Sequence, residues 1–277
     1  MKIRIEDDFD LQKIAESGQC FRWNPNDKGG YSIVAGGRAL NISNSGTEGE
    51  FEADCSEKDY DEYWKHYFDL ETDYKGLREK VSKEEDSFLY VAAEYGKGIR
   101  ILNQDPWETL ISFIISQRKS IPAIKSSIER LSALAGSRID GTDKYAFPTV
   151  DQLSKVSVQE LNDCGMGYRT EYLYQTAQNA AAGALRLEEF NKLDDQQLLE
   201  ALMELKGVGI KVASCTLLFG FHRLNAFPID VWIDRVLKNE YNGHFPFEKY
   251  DPYNGVMQQY LFFYYRNMEK NSKKVGK

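Results

Sequence analysis

The spacing of apolar residues changes once along the chain. From residue 1 to about 75, apolar positions alternate in short runs such as Tyr31-Ser32-Ile33-Val34 and Ala39-Leu40-Asn41-Ile42, broken by Gly29-Gly30, Gly36-Gly37 and Gly46. That pattern predicts antiparallel strands joined by tight turns. The charged stretch Glu57 to Lys83 reads as a linker with a short helix. From about residue 86 the period becomes helical. Asp105 and Pro106 supply an N-cap and a first helical position, and Trp107, Leu110, Ile111, Ile114 and Ile115 follow at helix spacing. Ile121, Ile124, Ile128, Leu131 and Leu134 predict a second helix, closed by Gly136. Further helices are predicted from Tyr168 to Gly183, from Asp195 through Leu202, up to Phe219, from Asp230 to about Tyr241, and across Gly255 to Met268. The expected fold class is α+β, with an N-terminal antiparallel β-sheet domain and linker over 1–95 and a larger all-α domain over 96–277.

Composition sets limits on function. The 277 residues are 42% hydrophobic and 28% charged, enough for a real core in one large domain or two modest ones. The 17 Tyr, 15 Phe and 4 Trp suit a core or stacking on bases equally well. Net charge is −8, which counts against a polyanionic partner. A phosphate site, however, needs only a few backbone N–H groups at a helix end. Cys20, Cys55, Cys164 and Cys215 show no C-x-x-C pair and read as reduced thiols, and His66, His222 and His244 form no metal pattern. No cofactor or metal is expected. No apolar run reaches membrane-spanning length, and Lys270 to Lys277 read as a solvated, disordered tail.

The most informative segment is Leu205-Lys206-Gly207-Val208-Gly209-Ile210-Lys211-Val212-Ala213, which lies between two helical patterns at about 196–220. Gly207 and Gly209 permit a tight reversal and close approach to a ligand. Val208 between them would plug the turn into the core. The N–H groups of Gly209, Ile210 and Lys211 would then stand at a helix N-terminus, where phosphate binds well. Pro228 precedes Asp230, a natural N-cap for the helix carrying Ile233, Val236, Leu237 and Tyr241. A lone capping Asp is usually structural and a lone Lys at a helix start is usually solvated. Beside a phosphate-binding hairpin, Lys211 and Asp230 make an amine and carboxylate pair.

Gly-Val-Gly-x-Lys, followed nineteen residues later by the Asp of Pro-x-Asp-Val, resembles the helix-hairpin-helix DNA glycosylases. More narrowly, the chain resembles the 8-oxoguanine DNA glycosylase family. Ser17-Gly18-Gln19-Cys20-Phe21-Arg22-Trp23, Asn103-Gln104-Asp105-Pro106 with Phe113-Ile114, and Gly165-Met166-Gly167-Tyr168-Arg169 are similar to that family's motifs, in its order. The resemblance implies a bifunctional enzyme of base excision repair. Lys211 would attack C1′ of a flipped nucleotide to give a Schiff base, and β-elimination would then nick the strand. A free lysine with pKa about 10.4 is under about 1% neutral at pH 7, so burial or a nearby base must supply the amine. Asp230 would help take the proton and stabilise charge developing on the sugar.

The same resemblance assigns the pocket. It implies that the Gly18 carbonyl accepts the N7–H of the oxidised base, that Cys215 and Phe262 sandwich it, and that Gln258 reads its Watson–Crick edge. Tyr168 would wedge beside the vacated base and Arg169 would contact its partner. Gln117, Arg118, Gly207, Gly209 and Trp232 are further expected DNA contacts. The chain departs from the eukaryotic pattern at Ala123, where an Arg reads the opposite cytosine, and at Trp232, where a His stands. Ala123 cannot hydrogen-bond a base edge, so weak preference for cytosine is expected.

The implied partner is double-stranded DNA containing 8-oxoguanine, bound by a monomer with no membrane association. The implied location is the cytoplasm, at the nucleoid in a prokaryote. Whether a structural cation bridges hairpin and phosphate stays open. Four rivals remain in view. Lys211 argues against an alkylpurine glycosylase working through Asp and water, and the missing C-terminal cysteine cluster argues against an endonuclease III-like enzyme. A non-catalytic hairpin module would not need Lys211 and Asp230 together. A globular protein with no DNA role finds its best support in the acidic balance.

Overall fold

A computed structural model describes residues 1–275, with side chains described through Glu269; the side chains of the lysine-rich tail from Lys270 to Lys277 lie outside the described residues. Five antiparallel strands, β1 (Lys2–Arg4), β2 (Trp23–Pro25), β3 (Tyr31–Ala35), β4 (Arg38–Asn44) and β5 (Glu50–Ala53), form one sheet in the order β1-β5-β4-β3-β2. β3 and β4 are joined by Gly36 and Gly37, at φ +54° and +72°, with Ala35 opposite Arg38. Positive φ at both central residues is what a two-residue hairpin turn demands. Every strand sends a residue into the core, including Ile3, Trp23, Ile33, Leu40, Ile42 and Phe51.

The charged stretch from Glu57 onward is not a linker. Helical turns at Glu57–Asp59, Tyr60–Trp64, Lys65–Tyr67 and Tyr74–Glu79 fill most of it. Tyr60, Trp64, Tyr67 and Phe68, at helical spacing, are buried in the sheet's core, while Lys58, Asp61 and Lys65 face solvent. The charges are one face of an amphipathic element.

Helices Ser87–Tyr95, Pro106–Ser116, Ile121–Ala135, Thr170–Ala181, Asp195–Met203, Ile210–Phe219, Val231–Glu240 and Asn254–Val275 build the second core. Ile210–Phe219 packs between Pro106–Ser116 and Asp195–Met203, and Asn254–Val275 packs on Ser87–Tyr95 and Val231–Glu240. The two cores interlock: Phe21, from beside the sheet, sits in the helical core, and Leu102 sits in the sheet's core. No helix among the described residues is long and apolar enough to cross a membrane.

Polar side chains fasten this seam. Gln19 donates to Ser17 Oγ at 2.8 Å and to the Arg100 carbonyl at 2.7 Å, and its Oε1 accepts from the Leu102 N–H at 2.8 Å. Arg22 forms a fork on the Glu129 carboxylate, both bonds 3.1 Å, and reaches the Tyr145 carbonyl at 2.7 Å. Charge-assisted fork geometry fixes orientation as well as distance. Gly18 therefore sits in a loop whose neighbours are pinned to the helical part.

Candidate active site

Gly207 adopts φ +80° and Gly209 is the N-cap of Ile210–Phe219, with no side chain to satisfy the helix's first N–H groups. Those donors stand at an exposed apex, where Ile210 is 65% exposed. Val208 is buried as the spacing requires, and its N–H donates to the Leu205 carbonyl at 3.0 Å. Two neighbours hold the turn from behind. Gln117 Nε2 donates to the Gly207 carbonyl at 2.9 Å, and a Cβ at Gly207 would fall 2.2 Å from Tyr172 Cδ2. Gln117 thus supports the hairpin, a role its sequence context did not reveal.

Lys211, in the first turn of the same helix, and Cys215, one turn further on, line a hollow that opens to solvent. Ser17, Gly18, Phe113, Phe219, Pro228, Asp230, Gln258, Gln259 and Phe262 complete its wall. Residues from five separate segments meet there, so the hollow exists only in the assembled fold. Asp230 caps Val231–Glu240, its Oδ1 accepting from the Trp232 and Ile233 N–H groups, each at 2.9 Å. Asp230 itself lines the hollow. Cys215 is buried, and burial pushes its thiol up to about 12, with Asp230 also raising it and Lys211 opposing. It therefore stays a neutral thiol at pH 7.

Lys211 is exposed rather than buried, because it lies at the rim of the hollow in the helix's first turn. Gln258 is buried with its amide engaged: Nε2 donates to the Pro228 carbonyl at 2.9 Å, and Oε1 accepts from Gln259 at 2.8 Å. Gly18 has φ +83°, and a Cβ there would lie 3.3 Å from Phe262 Cε1. The positive φ favours glycine, and a Cβ would press on the Phe262 ring by a few tenths of an ångström.

Tyr168 is 51% exposed and meets Tyr172 edge to face at 6.0 Å. Arg169 differs from expectation. It is 5% exposed, donates to the Met166 carbonyl at 3.1 Å and stacks 4.3 Å from the Tyr168 ring centroid. In this conformation it supports the tyrosine from inside the protein. Arg118, at φ +51°, follows Gln117 in the turn before Ile121–Ala135. Next to it, Lys119 donates to Ser127 Oγ and the Gly165 carbonyl, and burial, then the charges of Arg169 and Arg130, lowers its pKa. The net negative chain thus carries a local cluster of cations here. Ala123 lies in the first turn of Ile121–Ala135. Trp232 is half-buried, with Arg235 5.2 Å from its ring centroid. Among the described residues no group of three or more His, Cys, Asp or Glu side chains could hold a metal.

Comparison with known proteins matches residues 2–110 to the 8-oxoguanine DNA glycosylase N-terminal domain. Residues 111–244 match the HhH-GPD superfamily of base excision DNA repair proteins. The N-glycosylase/DNA lyase of Saccharomyces cerevisiae is 32% identical over 83% of this chain and 68% of its own length. An 8-oxoguanine glycosylase/lyase of Clostridium acetobutylicum, solved with double-stranded DNA containing cytosine opposite 8-oxoG, is 33% identical with TM-score 0.87, covering 97% of this chain and 98% of that one. MBOgg1, solved with a low-affinity DNA ligand, is 36% identical with TM-score 0.89, covering 97% of this chain and 96% of that one.

Proposed function

This chain belongs to the 8-oxoguanine DNA glycosylase family of helix-hairpin-helix base excision repair proteins, and from that premise we propose a bifunctional reaction centred on Lys211. The observation that carries the reading is the meeting of Lys211, Asp230, Gly18, Cys215, Gln258 and Phe262 around one hollow beside the hairpin. The substrate is 8-oxoguanine in duplex DNA. The hairpin's free N–H groups hold a backbone phosphate, and the damaged nucleotide turns out of the stack into the hollow.

A nucleotide that fills the hollow excludes water from Lys211 and sets its amine against the sugar. Lys211 Nζ forms a bond to C1′, and the C1′–N9 bond breaks with its electron pair leaving on the base. The Asp230 carboxylate stabilises the positive charge that develops on the sugar and accepts the amine's proton. The sugar ring opens to an imine with Nζ. Loss of a C2′ proton then expels the 3′ phosphate, nicking the strand. The neutral Cys215 thiol and the Phe262 ring pack the two faces of the base, and the Gly18 carbonyl accepts its N7–H. Guanine lacks that hydrogen, which leaves the carbonyl unpaired at a cost of about 1–3 kcal/mol.

The chain would work as a monomer where genomic DNA is exposed, in the cytoplasm at the nucleoid if its source is prokaryotic. A duplex carrying one 8-oxoguanine, incubated with enzyme and resolved with and without alkali, tests the reading. Base release and spontaneous nicking are expected with 8-oxoguanine and not with guanine; equal treatment of both duplexes would refute it.

A further inference from the structure

The Asn254–Val275 helix carries Gln258, Phe262 and Arg266 at four-residue spacing. Such spacing aligns three side chains along one helix face over about 12 Å. Each end of the row is tied to a different wall of the hollow. Gln258 holds the Pro228 carbonyl at 2.9 Å, two residues before Asp230. Arg266 Nη2 donates to the carbonyl of Glu16, two residues before Gly18. Between them Phe262 lines the hollow, and the Arg266 guanidinium carbon lies 4.9 Å from its ring centroid. A Cβ at Gly18 would meet Phe262 Cε1 at 3.3 Å and Arg266 Nη1 at 3.7 Å. Gly18, Phe262 and Arg266 thus form one contact.

Arg266 is costly to keep there. It is 7% exposed, and its Nε is buried without a hydrogen-bond partner. Buried cations with unmet donors are disfavoured, and each one calls for a reason. A leucine would pack against Phe262 without that penalty. The guanidinium adds a donor that crosses from the last helix to the Gly18 loop, and a positive charge against the Phe262 ring. The charges it feels are those of Glu16, on the Gly18 side, and Asp230, on the catalytic side.

We propose that Arg266 is a positioning residue that sets the spacing between the Gly18 carbonyl and the Phe262 ring, and so the preference for an oxidised over an unmodified purine. This rests on the functional reading above. A base between Cys215 and Phe262 reaches the Gly18 carbonyl only if the loop and ring keep their relative place. Hydrogen bonds weaken steeply with misalignment, and recognition geometry tolerates only about 0.5 Å of slack. Arg266 touches both walls and lies outside the residues that line the hollow, so it acts through Gly18 and Phe262.

The test compares two single-turnover rates for each protein: release of 8-oxoguanine, which needs the base pocket, and cleavage at a preformed abasic site, which needs Lys211 but no base. In Arg266→Met the ratio of the first rate to the second is expected to fall by about tenfold or more. Arg266→Lys, which keeps the charge and a donor, should recover part of it. Arg266→Gln replaces the methionine variant should that one fail to fold, with the same fall expected. A ratio within about twofold of wild type, whether both rates hold or drop together, overturns the proposal. A wild type that cleaves the abasic duplex yet leaves 8-oxoguanine in place defeats the functional reading instead, before any variant is compared.

Discussion

Gln117 is bonded to Gly207: its side-chain amide donates to the hairpin carbonyl at 2.9 Å. The turn after Pro106–Ser116 and the glycine reversal before Lys211 are therefore one mechanical unit. Tyr168 joins it, since its hydroxyl reaches the Gln117 carbonyl at 3.4 Å. The expected wedge and the expected phosphate grip are thus linked through a single glutamine.

Gly207→Ala tests that unit. The substitution meets a φ of +80° and a contact of 2.2 Å with Tyr172. A loss of about 2 kcal/mol is expected from left-handed strain and overpacking together, read as a lower urea midpoint at unchanged slope. Duplex binding should weaken too. An alanine variant as stable as wild type would show that Tyr172 does not brace the turn.

Asp230 has two jobs that substitution can separate. Serine preserves an N-cap oxygen for the Trp232 and Ile233 N–H groups but brings no charge to the hollow. Asp230→Ser should change stability by no more than about 0.5 kcal/mol, while excision slows by about 100-fold or more. Equal losses of stability and rate would reduce Asp230 to a cap.

Opposite-base preference follows from Ala123, whose methyl offers no donor to a base edge. Rates for 8-oxoguanine opposite C, T, G and A are expected to fall within about tenfold of each other, less than a good bidentate contact provides. Strong selectivity for cytosine would mean that another side chain reads the partner base.

Glu108, in the first turn of Pro106–Ser116, supplies a pH dependence. Burial raises its carboxyl to about 7, against the pull of Arg22 and with help from Asp105 and Glu129. The folded state therefore holds a proton that the unfolded chain releases near pH 4.3. Stability tied to this group falls as pH climbs from there to about 7, and levels off above. Glu108→Gln removes the effect. Its Tm should match wild type near pH 4.5 and exceed it by about 3 °C at pH 8. A gap that stays constant with pH would contradict the raised carboxyl.

The sequence made some of this legible and hid the rest for physical reasons. Gly207 and Val208 were readable because a positive φ and a buried plug fix them, and so were the caps Asp105 and Asp230; Gly209, at φ −93° with open space where a Cβ would stand, shows no such need. The glycines between β3 and β4 announced their turn in the same way. Glu57 to Lys83 misled because charge marks only the outer face, while Tyr60, Trp64, Tyr67 and Phe68 bury the inner one. Gln19 stood inside a readable motif, yet its bonds to Arg100 and Leu102 span about eighty residues of chain. Arg169, expected as a contact to the partner base, packs inward onto Tyr168 through tertiary contacts that no local pattern records. Arg266 left one faint signal, its four-residue spacing after Phe262, which apolar neighbours obscured.

The amine of Lys211 carries the central claim, and borohydride trapping on duplex 8-oxoguanine reads it most directly. Reduction of the imine should leave a covalent protein–DNA complex with wild type, none with Lys211→Gln, and none on a guanine control duplex. A trapped complex that persists in Lys211→Gln, or none with an active wild type, would contradict it.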